Sequence, residues 1–482
     1  MSIDALELAF RAHSPRLNPR PATRIGAAFY TAIVAFWMLS LYAAFSASGL
    51  LAWAVGVLYV SYDTLLLAFV AWQLRTLWRA PVPPKHGAER PSVGVIVAAY
   101  NEAPALAATI EALLGQSDPP ERIWLADDGS EDDSASVLFE RFGLSPPELN
   151  ASGAHSPVAP SLHWLRLPHR SKAHALNAAL VGADTDVVLT VDADTILAPD
   201  AISEVRRAFA EDCDLVVGGG VLAPRCGGGA FGRISQEFQT YEYVRNFLGR
   251  YAWTGPNCLL LISGAFAAFR REPVMIVGGF DPLCLVEDYE LIHRLHRHAI
   301  DNSLPWRVQI LGRARALTDA PASVPSFLRQ RRRWFAGFLQ TQYWNRDLIA
   351  APRFGALGLA MMPVKSLDTL QPIYGLAGSA LLLVFLARGE FGALLPATGV
   401  AAAKIALDIV NMGYSLAVYR RWTGDNISFT RAVVCLLLEP FGFLILRHLG
   451  AAWGWWSLLT GGVAWGSRSA RTAVGEVADL AG

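Results

Sequence analysis

Asp192 and Asp194 close the run Asp-Val-Val-Leu-Thr-Val-Asp-Ala-Asp (186–194) and offer two carboxylates one residue apart. Such a pair brings hard oxygen ligands to Mg2+ or Mn2+, ions that take few carboxylates and fill their remaining positions with water or substrate phosphate. A metal held there would neutralise a departing diphosphate. Taken alone, Asp-x-Asp is equally a solvated turn, so the neighbouring residues decide. Asp127-Asp128-Gly129-Ser130 can be an Asx-type turn, or a carboxylate pair that hydrogen-bonds a nucleotide base or ribose. Tyr100-Asn101-Glu102 forms a third polar cluster. Arg170-Ser171-Lys172-Ala173-His174 opens a helical pattern, with Ser171 as its cap; a helix N-terminus beside a lysine suits phosphate. Glu287-Asp288 begins another helix. Acids there ordinarily complement the helix dipole, but Asp288 is also placed to act as a general base towards a hydroxyl. Gln330-Arg331-Arg332-Arg333-Trp334 can touch anionic lipid headgroups. Alternatively, the forked donors of Arg333 suit a diphosphate and the flat indole of Trp334 a sugar ring. His293, His296 and His298 lie among Arg294 and Arg297 and are expected on a polar helix face rather than around a metal.

These residues need a scaffold that gathers them. Residues 91–100, 122–127 and 186–194 are short apolar runs rich in β-branched residues, 214–221 is a weaker one, and helical patterns over 104–116, 132–142 and 171–183 alternate with them. The alternation predicts a doubly wound, mostly parallel α/β sheet. Ligands bind beyond the carboxyl ends of the strands in such sheets, and three of the polar clusters fall at strand ends. The Pro/Ser/Gly-rich stretch 143–161 is expected as a mobile surface loop.

The rest of the chain is apolar. Of 482 residues, 53% are hydrophobic and 15 are Trp; the mean hydropathy is +0.32. Residues 26–48 carry no charge and match one bilayer crossing; a second span covers about 50–74. Arg11, Arg16, Arg20 and Arg24 precede this hairpin, and Arg75, Arg79, Lys85 and Arg90 follow it, so both flanks are expected in the cytoplasm. Polar sequence runs to Arg24, and no signal peptide is expected. Apolar stretches return at 366–387, 391–418 and 430–447. The Gly- and Trp-rich stretch 449–466 suits either a crossing or an interfacial helix, giving five or six crossings. The expected organisation is a cytoplasmic segment (1–25), a membrane hairpin (26–74), a cytoplasmic domain (91–325), interfacial helices (326–365), a membrane region of three or four spans (366–466) and a tail (467–482). Asp63, Lys404 with Asp408, Asn411 and Glu439 lie inside the spans. They are read either as a self-neutralising set or as the lining of a polar channel. The five cysteines include no C-x-x-C pair, so neither a disulfide framework nor a zinc knuckle is expected. The zero net charge gives no field for nucleic acid.

In their order along the chain, YNE (100–102), DDGS (127–130), KAHALN (172–177), DAD (192–194), SGAF (263–266), ED (287–288) and QRRRW (330–334) resemble the inverting family-2 glycosyltransferases of GT-A fold. More narrowly they resemble the processive cellulose, hyaluronan and poly-N-acetylglucosamine synthases. The resemblance implies a GT-A domain inserted between N- and C-terminal transmembrane helices. It gives Asp127 and Asp128, with Tyr100, Glu102, Lys172, Asp192 and Arg333, to the nucleotide sugar. Asp192 and Asp194 go to Mg2+ or Mn2+, and Asp288, beside Glu287, to base catalysis. Gln330, Trp334 and Gly264 go to the acceptor. The implied partners are a UDP-sugar donor, a glycan or lipid acceptor, membrane lipids and polysaccharide-export accessory proteins. The implied location is the inner or plasma membrane, multi-pass, with the catalytic domain in the cytoplasm. N-acetylglucosamine is the first expectation for the sugar and glucose the second. The rival is a non-processive transferase that adds one sugar to a lipid.

Overall fold

The computed structural model describes residues 2–79 and 89–461. Lys85, the end of the expected C-terminal membrane region (462–466) and the tail (467–482) lie outside the described residues.

The chain opens with a capped amphipathic helix, α1 (Ile3–His13), which buries Leu6 and Phe10. Two long apolar helices follow, α2 (Arg24–Ser46) and α3 (Ala54–Leu74). The soluble domain then alternates strand and helix: β1 (Val93–Ala99), α4 (Ala103–Leu114), β2 (Arg122–Asp127), α5 (Ser134–Phe142), β3 (Ser152–His155), β4 (Leu162–Arg166), α6 (Lys172–Gly182) and β5 (Val187–Asp192). It continues through β6 (Thr195–Leu197), α7 (Ala201–Glu211), β7 (Leu215–Cys226), α8 (Ala230–Ala252), β8 (Phe266–Arg270), α9 (Arg271–Ile276), α10 (Glu287–Asp301) and β9 (Arg307–Ala320). The nine strands form one sheet in the order β3-β4-β2-β1-β5-β8-β7-β9-β6. Strands β1 and β5 are buried on both faces, which is why their sequences are unbroken apolar runs rather than alternating ones.

The doubly wound half, β4-β2-β1-β5, is parallel as expected. The other half is mixed. α8 and the segment 253–265 return the chain to the end where β7 finished, so β8 runs antiparallel to both β5 and β7. β9 is again parallel to β7, and β3 and β6 add antiparallel edges. The stretch 143–161 is not simply a surface loop. It contributes β3, and the buried Ser156 hydroxyl donates to the Phe142 carbonyl at 2.5 Å, which pins the turn to the end of α5.

Beyond the sheet lies α11 (Val324–Trp344), then α12 (Met362–Arg388), α13 (Phe391–Thr423), α14 (Phe429–Leu438) and α15 (Phe443–Leu459). Among the described residues four helical stretches are long and apolar enough to cross a membrane, the make-up of a membrane protein: Arg24–Ser46, Gly49–Trp78, Leu357–Arg388 and Leu394–Thr423. The pair formed by Phe429–Phe441 and Phe443–Leu459 makes a fifth if counted as one span, and it is bent by 54°. The bend falls at Gly442, two residues after Pro440, inside the stretch 430–447 read as one span. α15 also lies hard against α11: a Cβ on Gly454 would come within 2.6 Å of the Arg332 carbonyl oxygen, and one on Gly450 within 2.7 Å of the Arg331 Cβ.

Candidate active site

Because β2, β1 and β5 are adjacent and parallel, their carboxyl ends set Asp127-Asp128, Tyr100-Asn101-Glu102 and Asp192 side by side. The first two clusters are laced together. Asn101 takes the left-handed conformation (φ 57°); its N–H donates to Ser130 Oγ (3.0 Å), and its Oδ1 accepts from the Glu131 N–H (2.8 Å). Asp127 is buried and accepts from the Ser130 N–H (2.8 Å) and the Trp164 indole N–H (3.3 Å). Asp128 is buried too; it accepts from the Arg170 N–H (3.0 Å) and meets His169 Nδ1 at 2.9 Å. Burial raises the pKa of Asp128, partly countered by the Arg170 N–H. Tyr100 is exposed, and its ring stacks on His169 with centroids 4.0 Å apart.

The carboxylates around Asp-x-Asp repel one another. Burial, Asp192 and Asp319 push Asp194 up to about 6, and burial, Asp194 and Asp192 push Glu102 up to about 7. Lys172 answers part of this charge. Ser171 caps α6, accepting from the His174 N–H at 3.2 Å, and so fixes where Lys172 starts. The Lys172 ammonium then bonds Asp192 Oδ1 and lies 3.7 Å from Glu287. Burial works against its charge, but these two carboxylates outweigh that and its pKa rises. Lys172 therefore links the Asp-x-Asp cluster to Glu287-Asp288. The charge still in excess, on hard oxygen donors, fits a divalent cation. No group of three His, Cys, Asp or Glu side chains is arrayed to hold a metal among the described residues, so an ion on Asp192 and Asp194 would complete its shell with phosphate oxygens or water.

Asp288 stands at the start of α10. Its Oδ2 accepts from the Gly264 N–H (2.7 Å) and its Oδ1 from the Tyr289 N–H (2.8 Å). A Cβ on Gly264 would press against Asp288 at 3.0–3.3 Å, so the glycine permits the approach. Burial raises the pKa of Glu287, with Lys172 opposing. α11 clasps the loop before α10: Arg333 donates to the Leu285 carbonyl (3.1 Å), and the Leu285 N–H donates to Gln340 Oε1 (3.2 Å). Gln330 Oε1 is buried without a partner. Arg331 bonds buried Glu242 at 2.6 Å and stacks over Trp334 at 4.5 Å.

A cavity of about 590 Å3 joins these parts. It runs from Lys172, Asp192 and Asp194 past Gly264, Glu287, Asp288, Gln330, Arg333 and Trp334 to Asp63, Asp408 and Asn411 on the apolar helices. Tyr100, Glu102, Asp127 and Asp128 do not line it. The histidine expectation needs correction. His293 and His296 are buried, not on a polar face, because each bonds a backbone carbonyl, Tyr289 O at 2.8 Å and Leu259 O at 2.9 Å. Burial lowers the pKa of both, which keeps them neutral. Sequence reasoning missed Asp319, near the end of β9, and Arg250 on α8. β9 does alternate in burial, but with Gly312, Arg313, Ala314 and Arg315 in place of the large β-branched residues that mark a strand.

The family model described as glycosyl transferase family 2 matches residues 94–276, and the one described as glycosyl transferase family group 2 matches 187–398. Hyaluronan synthase of Streptococcus pyogenes is 26% identical over 260 residues, covering 52% of this chain and 57% of the relative. Poly-beta-1,6-N-acetyl-D-glucosamine synthase of Staphylococcus epidermidis is 24% identical over 263 residues, covering 52% and 57%. The match thus spans somewhat over half the length of these curated relatives. In three dimensions the chain is similar to mannosyltransferase PcManGT from Pyrobaculum calidifontis, solved in complex with GDP-Man and Mn2+. The TM-score is 0.53 at 21% identity, covering 81% of this chain and 99% of that one, a likeness that gives the GT-A fold.

Proposed function

We propose, on the premise that residues 94–276 are a glycosyltransferase family 2 domain of GT-A fold, that this chain is an inverting, processive polysaccharide synthase. It would transfer sugar from a UDP-sugar, UDP-N-acetylglucosamine first and UDP-glucose second, to a growing β-linked glycan. The observation that carries the reading is the single cavity holding Asp-x-Asp, Asp288 and Trp334 at one end and polar residues of the apolar helices at the other. A one-sugar transferase needs the first end only.

In this reading the Asp288 carboxylate takes the proton of an acceptor hydroxyl. The freed oxygen attacks the anomeric carbon, and the bond from that carbon to the diphosphate oxygen breaks, the nucleotide diphosphate leaving with the electron pair. With one base and no nucleophilic carboxylate on the path, the anomeric configuration inverts. Lys172 and Arg333 stabilise the leaving charge. Asp192 and Asp194 would hold Mg2+ or Mn2+, which supplies further neutralisation of the diphosphate when bound. Tyr100, Glu102, Asp127 and Asp128 form the nucleotide side; Gly264, Gln330 and Trp334 form the acceptor side. The reading puts the domain on the cytoplasmic face of the plasma or inner membrane, with the Arg-bearing flanks of the first hairpin inside. The glycan would leave along the cavity past Asp63 and Asp408, with export accessory proteins as candidate partners.

UDP release and product configuration test the chemistry. Purified protein offered UDP-sugars with Mn2+ should release UDP from one or two donors, stop on chelation and resume on adding metal back, and yield a β-linked product from an α-linked donor. Retention of configuration would overturn the single-displacement reading. A single-sugar lipid product, the rival outcome, would keep the chemistry and remove processivity.

A further inference from the structure

Seven lysine and arginine side chains line the cavity. Five meet a carboxylate: Lys172 with Asp192, Arg245 with Glu439, Arg331 with Glu242, Lys365 with Asp368 and Arg447 with Glu242 and Glu439. Arg333 lacks a carboxylate but donates to the Leu285 carbonyl. Arg250, near the end of α8, has neither. Among the described residues its guanidinium makes no ion pair and no hydrogen bond, and its Nε is buried without a partner. The guanidinium is braced against the Phe247 ring, 4.8 Å from the centroid, and its helix turn also presents Trp253 to the cavity. A half-buried guanidinium with no anion beside it leaves its donors facing the cavity free for a ligand. Burial lowers the Arg250 pKa to about 10, and the first charge that opposes the fall is Asp288. Glu242, about two turns earlier on the same helix, bonds Arg331, which stacks over Trp334, so α8 lies against the acceptor-side helix α11.

We infer that Arg250 is an acceptor-positioning residue: its forked N–H donors take the paired oxygens of the sugar whose hydroxyl faces Asp288. This rests on the glycosyl-transfer reading for its meaning, but the binding it predicts does not require turnover. Adjacent ring hydroxyls present two acceptors at a spacing a planar guanidinium can meet, whereas an ammonium meets one. The braced position matters because a preorganised donor loses little freedom on binding. Arg250 would then select acceptors by whether they present that oxygen pair, and hold the glycan end in register between additions.

The test uses the full chain in nanodiscs, with intrinsic tryptophan fluorescence as the readout, since Trp253 and Trp334 line the cavity. Two probes are titrated separately, UDP with Mn2+ and a panel of neutral cello- and N-acetylchito-oligosaccharides. Arg250→Met should weaken binding of the best oligosaccharide by roughly 10- to 100-fold, the size of a lost charged hydrogen bond or two. UDP affinity should stay within about twofold, which also reports an intact fold. Arg250→Lys should recover part of the loss. Equal oligosaccharide affinity in wild type and Arg250→Met, or no oligosaccharide binding by wild type, would overturn the inference. So would a loss of UDP affinity with oligosaccharide affinity unchanged, which would move Arg250 to the donor side. Oligosaccharide binding that depends on Arg250, in a protein that releases no UDP from any donor, would instead sink the proposed reaction and leave the subsite standing.

Discussion

Two backbone N–H groups, of Gly264 and Tyr289, aim the Asp288 carboxylate into the cavity. An Asn there keeps the shape and loses the proton acceptor. Asp288→Asn should bind UDP-sugar normally and transfer at least about 100-fold more slowly, the lower end of what a general base contributes. Near-normal turnover by that variant would remove Asp288 from the role. The metal prediction has a pH sign. Glu102 and Asp194 have pKa values raised to about 7 and 6, so the folded chain favours their protonated forms. In metal-free protein their burial costs nothing below the ordinary carboxylate range. It costs stability progressively as pH rises through about 6–7, where both ionise. A cation that binds the ionised forms reverses this. The rise in Tm on adding Mn2+ should therefore be small near pH 5 and grow towards about pH 8. A shift that is flat with pH, or persists in Asp192→Asn, would place the ion elsewhere. At this scale the sequence was legible in position: Asp192 and Asp194 fall where β5 ends, and Asp288 where α10 begins. It was least legible for Arg250, whose significance lies in partners it lacks, and those appear only when α8 is seen against the cavity.

At the scale of elements, α10 carries the base, and its placement depends on a buried fork. Arg294 and Glu290, both without exposed side-chain surface, pair at 2.6 Å. Arg294 also donates to the carbonyls of Val277 and Gly279, each at 2.6 Å, which sews α10 to the turn before it. Removing one partner strands the other's charge in the core, so Arg294→Met should cost about 3–5 kcal/mol, read as a fall in Tm or a loss of folded yield. A change under about 1 kcal/mol would mean that the fork is dispensable. The same turn is held from outside by α1 and the segment after it: Arg16 bonds buried Asp281 at 2.9 and 3.1 Å. That role was hidden in the sequence, where Arg16 reads only as one of four arginines before an apolar span. The parallel strands β1, β2 and β5 were legible because burial on both faces demands continuous apolar runs, whereas β4, whose burial alternates, was not read. The antiparallel half was not. β8 is five residues long, and β9 alternates with small and basic residues that resemble a surface segment.

For the molecule as a whole, the polar residues inside the apolar helices connect to the site. Lys404 lies 2.7 Å from Asp63 and also bonds Asp408, so the set is one cation between two acids rather than a simple pair. Asp63 and Asp408 line the same cavity as Asp288. Neutralisation explains the lysine, but a second acid is more than it needs. If the glycan leaves by this route, Asp63→Asn and Asp408→Asn should leave UDP binding unchanged while shortening the polymer or lowering its export; unchanged length and export would leave these residues a structural role alone. This one chain should polymerise sugar unaided. Purified protein in lipid vesicles, given a panel of UDP-sugars with Mg2+ or Mn2+ and its product resolved by size, tests it most directly. High-molecular-weight product should form from one donor and be absent in Asp288→Asn. A product that stops at a single sugar on lipid, whatever the donor or incubation time, would contradict polymerisation.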